Sequence, residues 1–95
     1  MDNYVTEFIN YLAVERGLAQ NTLESYGRDL HQFQTYLKNS NLEVLKDSNR
    51  NTILNYLAAL QNKGRAVSTI SRNLAAIKSF YQYLVKERYL DKDPA

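Results

Sequence analysis

Helix-breaking residues are almost absent from this chain of 95 residues. It contains one proline, Pro94, and three glycines, Gly17, Gly27 and Gly64. A chain with so few breakers, and with much Leu, Ala, Asn and Gln, favours long helices. No alternation of apolar and polar residues extends beyond three positions, which argues against β-strands. The sequence therefore predicts an all-α fold.

Apolar residues recur at spacings of three and four in four segments, which is the period of an amphipathic helix. They are Val5, Phe8, Ile9 and Leu12; then Leu23, Tyr26, Leu30, Phe33 and Leu37; then Ile53, Leu57 and Leu60; and finally Ile70, Leu74, Ile77, Tyr81 and Leu84. A longer connector, with Leu42, Val44 and Leu45 as apolar anchors, separates the second segment from the third. Because the other two joints are short, we predict a four-helix bundle of two packed helical hairpins.

Residues that commonly cap helices stand at the ends of these segments. The predicted amino-terminal caps are Asp2 or Asn3, Asn21 or Thr22, Asp47 or Ser48, and Ser68 or Thr69. The predicted carboxyl-terminal ends are Gly17, the polar cluster 39–41, Gly64 and about Glu87. Glycine suits such an end because it adopts a left-handed backbone without strain.

Composition excludes several kinds of functional site. The chain has no cysteine, which removes disulfides and thiolate metal sites, and a single histidine, His31, argues against a histidine metal site or a hydrolase triad. A domain of this size buries only about 60–65% of its unfolded surface, which leaves no room for a large active-site cavity. No apolar run is long enough to cross a membrane, and the acidic amino terminus is unlike a signal peptide. We expect a cytoplasmic domain without metal or cofactor.

Eight tyrosines raise the question of a nucleophile. A phenol that attacks a phosphoryl group needs Arg, Lys or His clustered around it to stabilise the transition state. No such cluster surrounds any tyrosine in the sequence. We therefore interpret the tyrosines as residues at the edge of the core.

Charge is distributed unevenly along the chain. Residues 1–47 hold four basic and seven acidic residues, a net charge of −3, whereas residues 48–95 hold eight basic and three acidic residues, a net charge of +5. Within residues 48–86 there are six basic residues and no Asp or Glu. Such a block is typical of a phosphate-binding surface, although an ordinary solvated surface can also carry it.

The polar side of the fourth predicted helix is small, hydroxylic or basic. Its residues are Ser68, Ser71, Arg72, Ala75, Lys78, Ser79 and Gln82. Small side chains let a helix approach DNA closely, and Arg, Lys and Ser donate hydrogen bonds to phosphates and base edges. An exposed helix of this length usually carries Glu to pair with its basic residues, yet none occurs before Glu87. This pattern favours a DNA-facing helix over a plain solvent-facing one.

The amino end of the second predicted helix is also polar. It carries Gln20, Asn21, Thr22, Ser25 and Arg28. A helix amino terminus can hold a phosphate through its free N–H groups, although Asn21 and Thr22 can equally serve only as caps.

Two segments resemble the Xer-type tyrosine recombinases and phage integrases. The first, residues 17–30, reads GLAQNTLESYGRDL and has the Leu, Ala, Thr, Tyr and Arg-Asp-Leu of that family at the same spacings. The second runs from Ser68 to Leu84, and its matching positions include Arg72 and Lys78. The ending Asp-Pro-Ala at 93–95 resembles the start of the family's interdomain linker. The similarity covers essentially the whole chain.

The resemblance implies the amino-terminal core-binding domain of this family, a SAM-like four-helix domain that forms one jaw of a clamp around the recombination site. It implies a DNA-binding domain at residues 1–90 and the start of a linker at residues 91–95. A separate catalytic domain would supply the nucleophilic tyrosine, so this fragment is expected to bind DNA without cutting it. The implied partners are double-stranded DNA, the parent's own catalytic domain and further protomers in a synaptic tetramer. The isolated domain is expected to be a monomer, with no membrane partner.

The family docks its second and fourth helices on DNA, which implies contacts from Thr22, Arg28, Thr69, Arg72 and Lys78. The residues themselves add Ser25, Lys63, Arg65, Ser68 and Ser71. Of these ten, Arg72 is expected to reach the groove, whereas Lys63, Arg65 and Lys78 are expected to contact phosphates. The sequence departs from the family at Gly27 and Ser79, where basic residues are frequent, which implies a weaker phosphate contact or a different target sequence.

Two alternatives come from other functional classes. A helical protein–protein interaction module would expose an apolar patch and bind its partner without salt dependence. A helix-turn-helix transcription regulator would use the short joint at 17–20, but the predicted flanking helices are longer than a recognition helix usually is. The basic block also lies on the later helices.

Overall fold

The computed structural model describes residues 3–43, 47 and 49–94. Over this range the chain forms α1 (Asn3–Val14), α2 (Gln20–Asn39), α3 (Arg50–Asn62) and α4 (Val67–Lys86). These residues include no strand. The predicted all-α fold is confirmed. None of the described helices is both long and apolar enough to span a membrane.

The other three helices pack around α4. It contacts α1, α2 and α3, and α1 also packs against α2. Residues 15–19 join α1 to α2, and residues 63–66 join α3 to α4. The first two helices therefore form one hairpin, and the last two form another. The two hairpins meet along α4, which confirms the predicted four-helix bundle.

The core is built from the apolar faces that the sequence predicts, with aromatic residues added. Its buried residues are Val5, Phe8, Leu12, Leu23, Leu30, Phe33, Leu37, Ile53, Tyr56, Leu60, Ala76, Ile77, Phe80, Tyr81, Tyr83 and Leu84. The predicted apolar residues missing from this set are half-buried around it. Phe8 joins α1 to α4, since its ring centroid lies 5.6 Å from that of Phe80 and 5.4 Å from that of Tyr83.

The beginnings of α2 and α4 differ from the prediction. Ala19 and Ala66 occupy the cap positions with extended backbones and make no side-chain cap hydrogen bond. Asn21, Thr22, Ser68 and Thr69 all lie inside the first turns, so the predicted caps there are wrong. Both helix starts are exposed, where water can satisfy the free N–H groups and a capping side chain is not required.

The beginning of α3 is capped by a side chain, but not by a predicted one. The Asn49 Oδ1 accepts a hydrogen bond from the Thr52 N–H at 2.9 Å. Asp47 instead accepts from the Glu43 N–H at 2.8 Å, within the connector. The prediction of Asp47 as a cap is therefore wrong. The alternative cap of α3, Ser48, lies outside the described residues. At the start of α1, the predicted cap Asp2 also lies outside them, and its alternative Asn3 is already within the helix.

The connector between α2 and α3 is described only in part. The predicted anchor Leu42 is half-buried against the core. The other two predicted anchors, Val44 and Leu45, lie outside the described residues.

The carboxyl ends of three helices share one backbone arrangement. After α3, Gly64 adopts a φ of 80°, its N–H donates to Gln61 and the next N–H donates to the Leu60 carbonyl at 3.1 Å, which is a Schellman motif. The same pattern ends α2 at Asn41 and α4 at Arg88, with φ values of 59° and 65°. Gly17 is also left-handed, but α1 has already ended at Val14.

The chain beyond α4 folds back onto α1. The Tyr89 ring lies 4.9 Å from the Tyr4 ring, and the Tyr89 hydroxyl donates to Glu7 Oε1 at 2.8 Å. Leu90 is half-buried against the core. The packed part of the bundle therefore extends to Leu90.

Candidate nucleic-acid interface

An ion pair between α2 and α4 lies at the centre of the candidate site. Arg72 donates from Nε to Asp29 Oδ2 at 2.7 Å and from Nη2 to Oδ1 at 3.0 Å. Asp29 is only 2% exposed, whereas the Arg72 side chain is 41% exposed. The hydrogen bond to Asp29 raises the pKa of Arg72 above its ordinary value. The two hydrogen bonds therefore hold the guanidinium in a fixed orientation.

Asp29 leaves part of the guanidinium available. An arginine side chain has five N–H donors, and the two bonds to Asp29 use one on Nε and one on Nη2. The two N–H groups of Nη1 and the second of Nη2 are not engaged by this carboxylate. This free edge is the one that can donate two parallel hydrogen bonds to a guanine or a phosphate.

The α2 residues predicted to contact DNA lie close to Asp29 on the surface of α2. Thr22 and Ser25 precede Asp29 by seven and four residues, so all three share one face of α2. Thr22 and Ser25 are half-buried, and Arg28 is exposed. Because Asp29 contacts α4, this face of α2 lies along the edge of α4.

The polar face of α4 is open to solvent. Its exposed residues are Ser68, Ser71, Arg72, Ala75, Lys78 and Gln82. Ser79 and Thr69 are half-buried, and the Thr69 carbonyl accepts a hydrogen bond from Asn73 Nδ2 at 2.9 Å. No acidic residue lies on α4. The structure thus brings eight of the ten predicted residues onto α2 and α4, which meet at Arg72. We call these two faces the α2–α4 surface.

The remaining two predicted residues lie at a different place. Lys63 and Arg65 are exposed and line a groove of about 340 Å³ between α2 and α3. His31, the single histidine, is exposed in the same groove. Tyr56 also lines it, and burial raises the pKa of its phenol to about 12. The two basic residues therefore border the site at the start of α4 and do not join the ion pair.

The similarity to known proteins covers nearly the whole chain. Residues 5–88 match the family described as the phage integrase N-terminal SAM-like domain. The chain belongs to that family. It is 42% identical to the tyrosine recombinase XerD of Halalkalibacterium halodurans, and 39% identical to a putative tyrosine recombinase, TTE1313, of Caldanaerobacter subterraneus, in each case over 99% of this chain.

Another relative is the tyrosine recombinase XerD of Oceanobacillus iheyensis, 37% identical over 96% of this chain. The chain spans about a third of the length of these relatives, 31–32%. No solved structure matches it.

The two segments that resemble integrases meet in the ion pair of this SAM-like domain. Asp29 belongs to the segment 17–30, and Arg72 belongs to the segment 68–84. The sequence predicts a DNA contact for Arg72 but no role for Asp29. A usable pattern was present, because Asp29 lies between Tyr26 and Leu30 at apolar spacing, and a buried carboxylate needs a cationic partner.

Gly27 does not face the candidate site. A Cβ added to it would lie 3.9 Å from Ile9 Cδ1 of α1, which is an ordinary contact. Gly27 is two residues from Ser25, which places it almost on the opposite side of α2. Its lack of a side chain therefore concerns the packing of α1 rather than the α2–α4 surface.

One tyrosine has the cationic neighbours that the sequence does not reveal. The hydroxyl of Tyr11 accepts a hydrogen bond from Lys86 Nζ at 3.3 Å. Lys86 first, and Arg16 second, lower the pKa of the Tyr11 phenol. Tyr11 is half-buried against the core, as predicted for the tyrosines, but its two basic neighbours are distant in sequence or outside the local pattern and appear only in the fold.

Proposed function

We propose that this chain is the sequence-specific DNA-binding domain of a tyrosine recombinase and that it binds duplex DNA through the α2–α4 surface. The observation that carries the proposal is the exposed face of α4, which is basic, hydroxylic and free of acidic residues over 20 residues. Phosphates attract such a face, and its small side chains let the helix enter a groove.

Within this proposal the two kinds of basic residue act differently. Arg72, oriented by Asp29, presents its free N–H groups to a guanine edge in the major groove. Lys63, Arg65 and Lys78 are exposed and contact phosphates. Hydroxyl groups add hydrogen bonds to the DNA backbone and to the bases. They belong to Thr22, Ser25, Ser68, Thr69 and Ser71.

The parent protein would use this domain as one jaw of a clamp during DNA recombination and integration in the cytoplasm. The chain corresponds to about a third of its relatives' length, and in this proposal the cutting and rejoining of strands belong to the rest of the parent. The domain would then work beside its own catalytic domain and beside other protomers, four in the synapse. Alone, it would bind DNA as a monomer without cleaving it.

The exposed apolar residues do not favour the protein-interaction alternative. Among the residues that the structure describes, the large ones are Val14, Leu54, Val67 and Tyr89. They lie in four separate segments of the chain: α1, α3, the start of α4 and the segment after α4. An interaction module would need a contiguous apolar patch.

Salt dependence tests the proposal. If the domain neutralises four or five phosphates, the logarithm of its affinity for a duplex should fall against the logarithm of salt concentration with a slope of about −4. Raising salt from about 50 to about 200 mM should then weaken binding about 250-fold. A labelled mixed-sequence duplex of about 20 base pairs, titrated at several salt concentrations, gives this slope.

Lys63→Ala provides the matched comparison in the same titration. Because Lys63 contacts only phosphate in this proposal, the variant should lower the magnitude of the slope by about one on any duplex. A wild-type slope near zero would contradict DNA binding and would favour an interaction module.

A further inference from the structure

A second cationic site lies between the end of α1 and the second half of α4. A cavity of about 220 Å³ opens there, and the residues with polar groups that line it are Tyr11, Arg16, Ser79, Gln82, Tyr83 and Lys86. The described residues that line it include no acid. Arg16 and Lys86 are both exposed, so their charges are accessible from solvent.

The two cations converge on one phenol. Lys86 Nζ donates to the Tyr11 hydroxyl at 3.3 Å and lies 4.5 Å from the centre of the Tyr11 ring. Arg16 also interacts with this hydroxyl, and the two cations, Lys86 first and Arg16 second, lower the pKa of Tyr11. Two positive charges held close together repel each other, and an anion between them would relieve that repulsion. The Tyr11 and Ser79 hydroxyls can donate to the same anion.

The cavity continues the polar face of α4. Ser79 and Lys86 follow Arg72 by about two and about four helical turns, so they point in nearly the same direction from the helix. Arg72 and Lys86 are separated along the axis by about 21 Å, which is about the rise of six base pairs. A duplex that lies along the α2–α4 surface can therefore reach the cavity.

Acidic residues mark the far side of this site. Glu7, Glu15 and Glu87 line the neighbouring groove, which shares Tyr11, Tyr83 and Lys86 with the cavity. A polyanion is repelled from that groove and attracted to the cavity. The cavity therefore lies at the edge of the proposed DNA-binding surface.

We propose that Arg16 and Lys86, together with the Tyr11 hydroxyl, form a phosphate-binding site that holds the backbone of the duplex at the α1 end of the α2–α4 surface. This site rests on the proposed function. Arg16 and Lys86 supply charge-assisted hydrogen bonds, Tyr11 and Ser79 supply neutral ones, and Gln82 borders the cavity. This site extends the contact with DNA from α2 and α4 to α1.

The test uses charge-removing variants in the salt titration of the mixed-sequence duplex. Arg16→Gln and Lys86→Gln should each lower the magnitude of the slope by about one, and the double variant by about two. Tyr11→Phe should weaken binding about threefold to tenfold without changing the slope, because it removes a hydrogen bond but no charge. Lys38→Gln is the matched control, since Lys38 is exposed at the far end of α2 and should leave the slope unchanged.

Charge-conserving variants guard against a folding artefact. Arg16→Lys and Lys86→Arg should retain the wild-type slope, and thermal unfolding should match the wild type for every variant used. A wild-type slope in the double variant, while Lys63→Ala still lowers it, would overturn the phosphate site and leave the proposed function standing. An equal fall in the magnitude of the slope for Lys38→Gln would also overturn the phosphate site. Failure of the wild-type domain to bind the duplex would overturn both proposals.

Discussion

Replacement of Arg72 by alanine is expected to lower the free energy of unfolding by about 3 kcal/mol. The variant leaves the Asp29 carboxylate buried without its cationic partner, and breaking a buried ion pair from one side costs about 3–5 kcal/mol. The lower end applies because the Arg72 side chain is 41% exposed, so water can enter the space it leaves. Urea denaturation followed by circular dichroism measures the change. The sequence alone predicts no such loss, since Arg72 lies off the apolar face of α4.

Two further variants separate the ion pair from general effects of losing an arginine. Arg28→Ala removes the exposed arginine next to Asp29 and should change stability by less than about 0.5 kcal/mol. Asp29→Asn added to Arg72→Ala should recover part of the loss, because it removes the unpaired charge. Equal stability of Arg72→Ala and the wild type would show that the ion pair does not hold α2 to α4.

Arg72→Lys separates stability from recognition. Lysine keeps the positive charge, so the salt slope should stay unchanged, but its single flexible ammonium lacks the rigid planar fork with which arginine donates two parallel hydrogen bonds to one guanine. On a duplex that the wild-type domain has selected from a random pool, the variant should lose about 1–3 kcal/mol of binding, and much less on a scrambled duplex. Equal losses on both duplexes would make Arg72 a phosphate contact.

Replacement of Phe8 by alanine is expected to destabilise the domain by about 3–5 kcal/mol. Phe8 is 1% exposed and packs against Phe80 and Tyr83 of α4, so alanine leaves a cavity between the two helices. With 12 residues, α1 is too short to be a stable helix alone and depends on this packing. Chemical denaturation measures the loss of stability of the domain, and amide hydrogen exchange measures the loss of protection in α1.

Thr6→Ala is the matched control for Phe8→Ala. Thr6 is exposed on the same helix, and alanine is the better helix former, so this variant should be as stable as the wild type or slightly more stable. A loss below about 1 kcal/mol for Phe8→Ala would contradict the packing of α1 on α4.

Apolar periodicity was sufficient to predict the bundle because it is a property of each helix alone. Every predicted apolar residue of the four segments is buried or half-buried. The helix starts were harder to predict. Exposed helix ends can use water in place of a capping side chain, and Ala19 and Ala66 therefore precede helices without capping them.

The candidate site could be predicted only in part, because it depends on contacts between helices that no local sequence pattern contains. Asp29 and Arg72 are 43 positions apart, and their pairing follows from how α2 crosses α4. The convergence of Arg16 and Lys86 on Tyr11 likewise requires α1 to pack beside the end of α4. Polar composition identified the α4 face, but only the fold relates it to its neighbours on α2 and α1.

Chemical-shift mapping tests the central claim, that duplex DNA binds the α2–α4 surface, most directly. The 15N-labelled domain would be titrated with the mixed-sequence duplex at about 50 mM salt, where binding is tightest. We expect the largest amide shifts at 22–28 and 68–82, and the smallest at the exposed side of α3 around Leu54 and Asn55. Shifts centred on α3, or no shifts at any duplex concentration, would contradict the account.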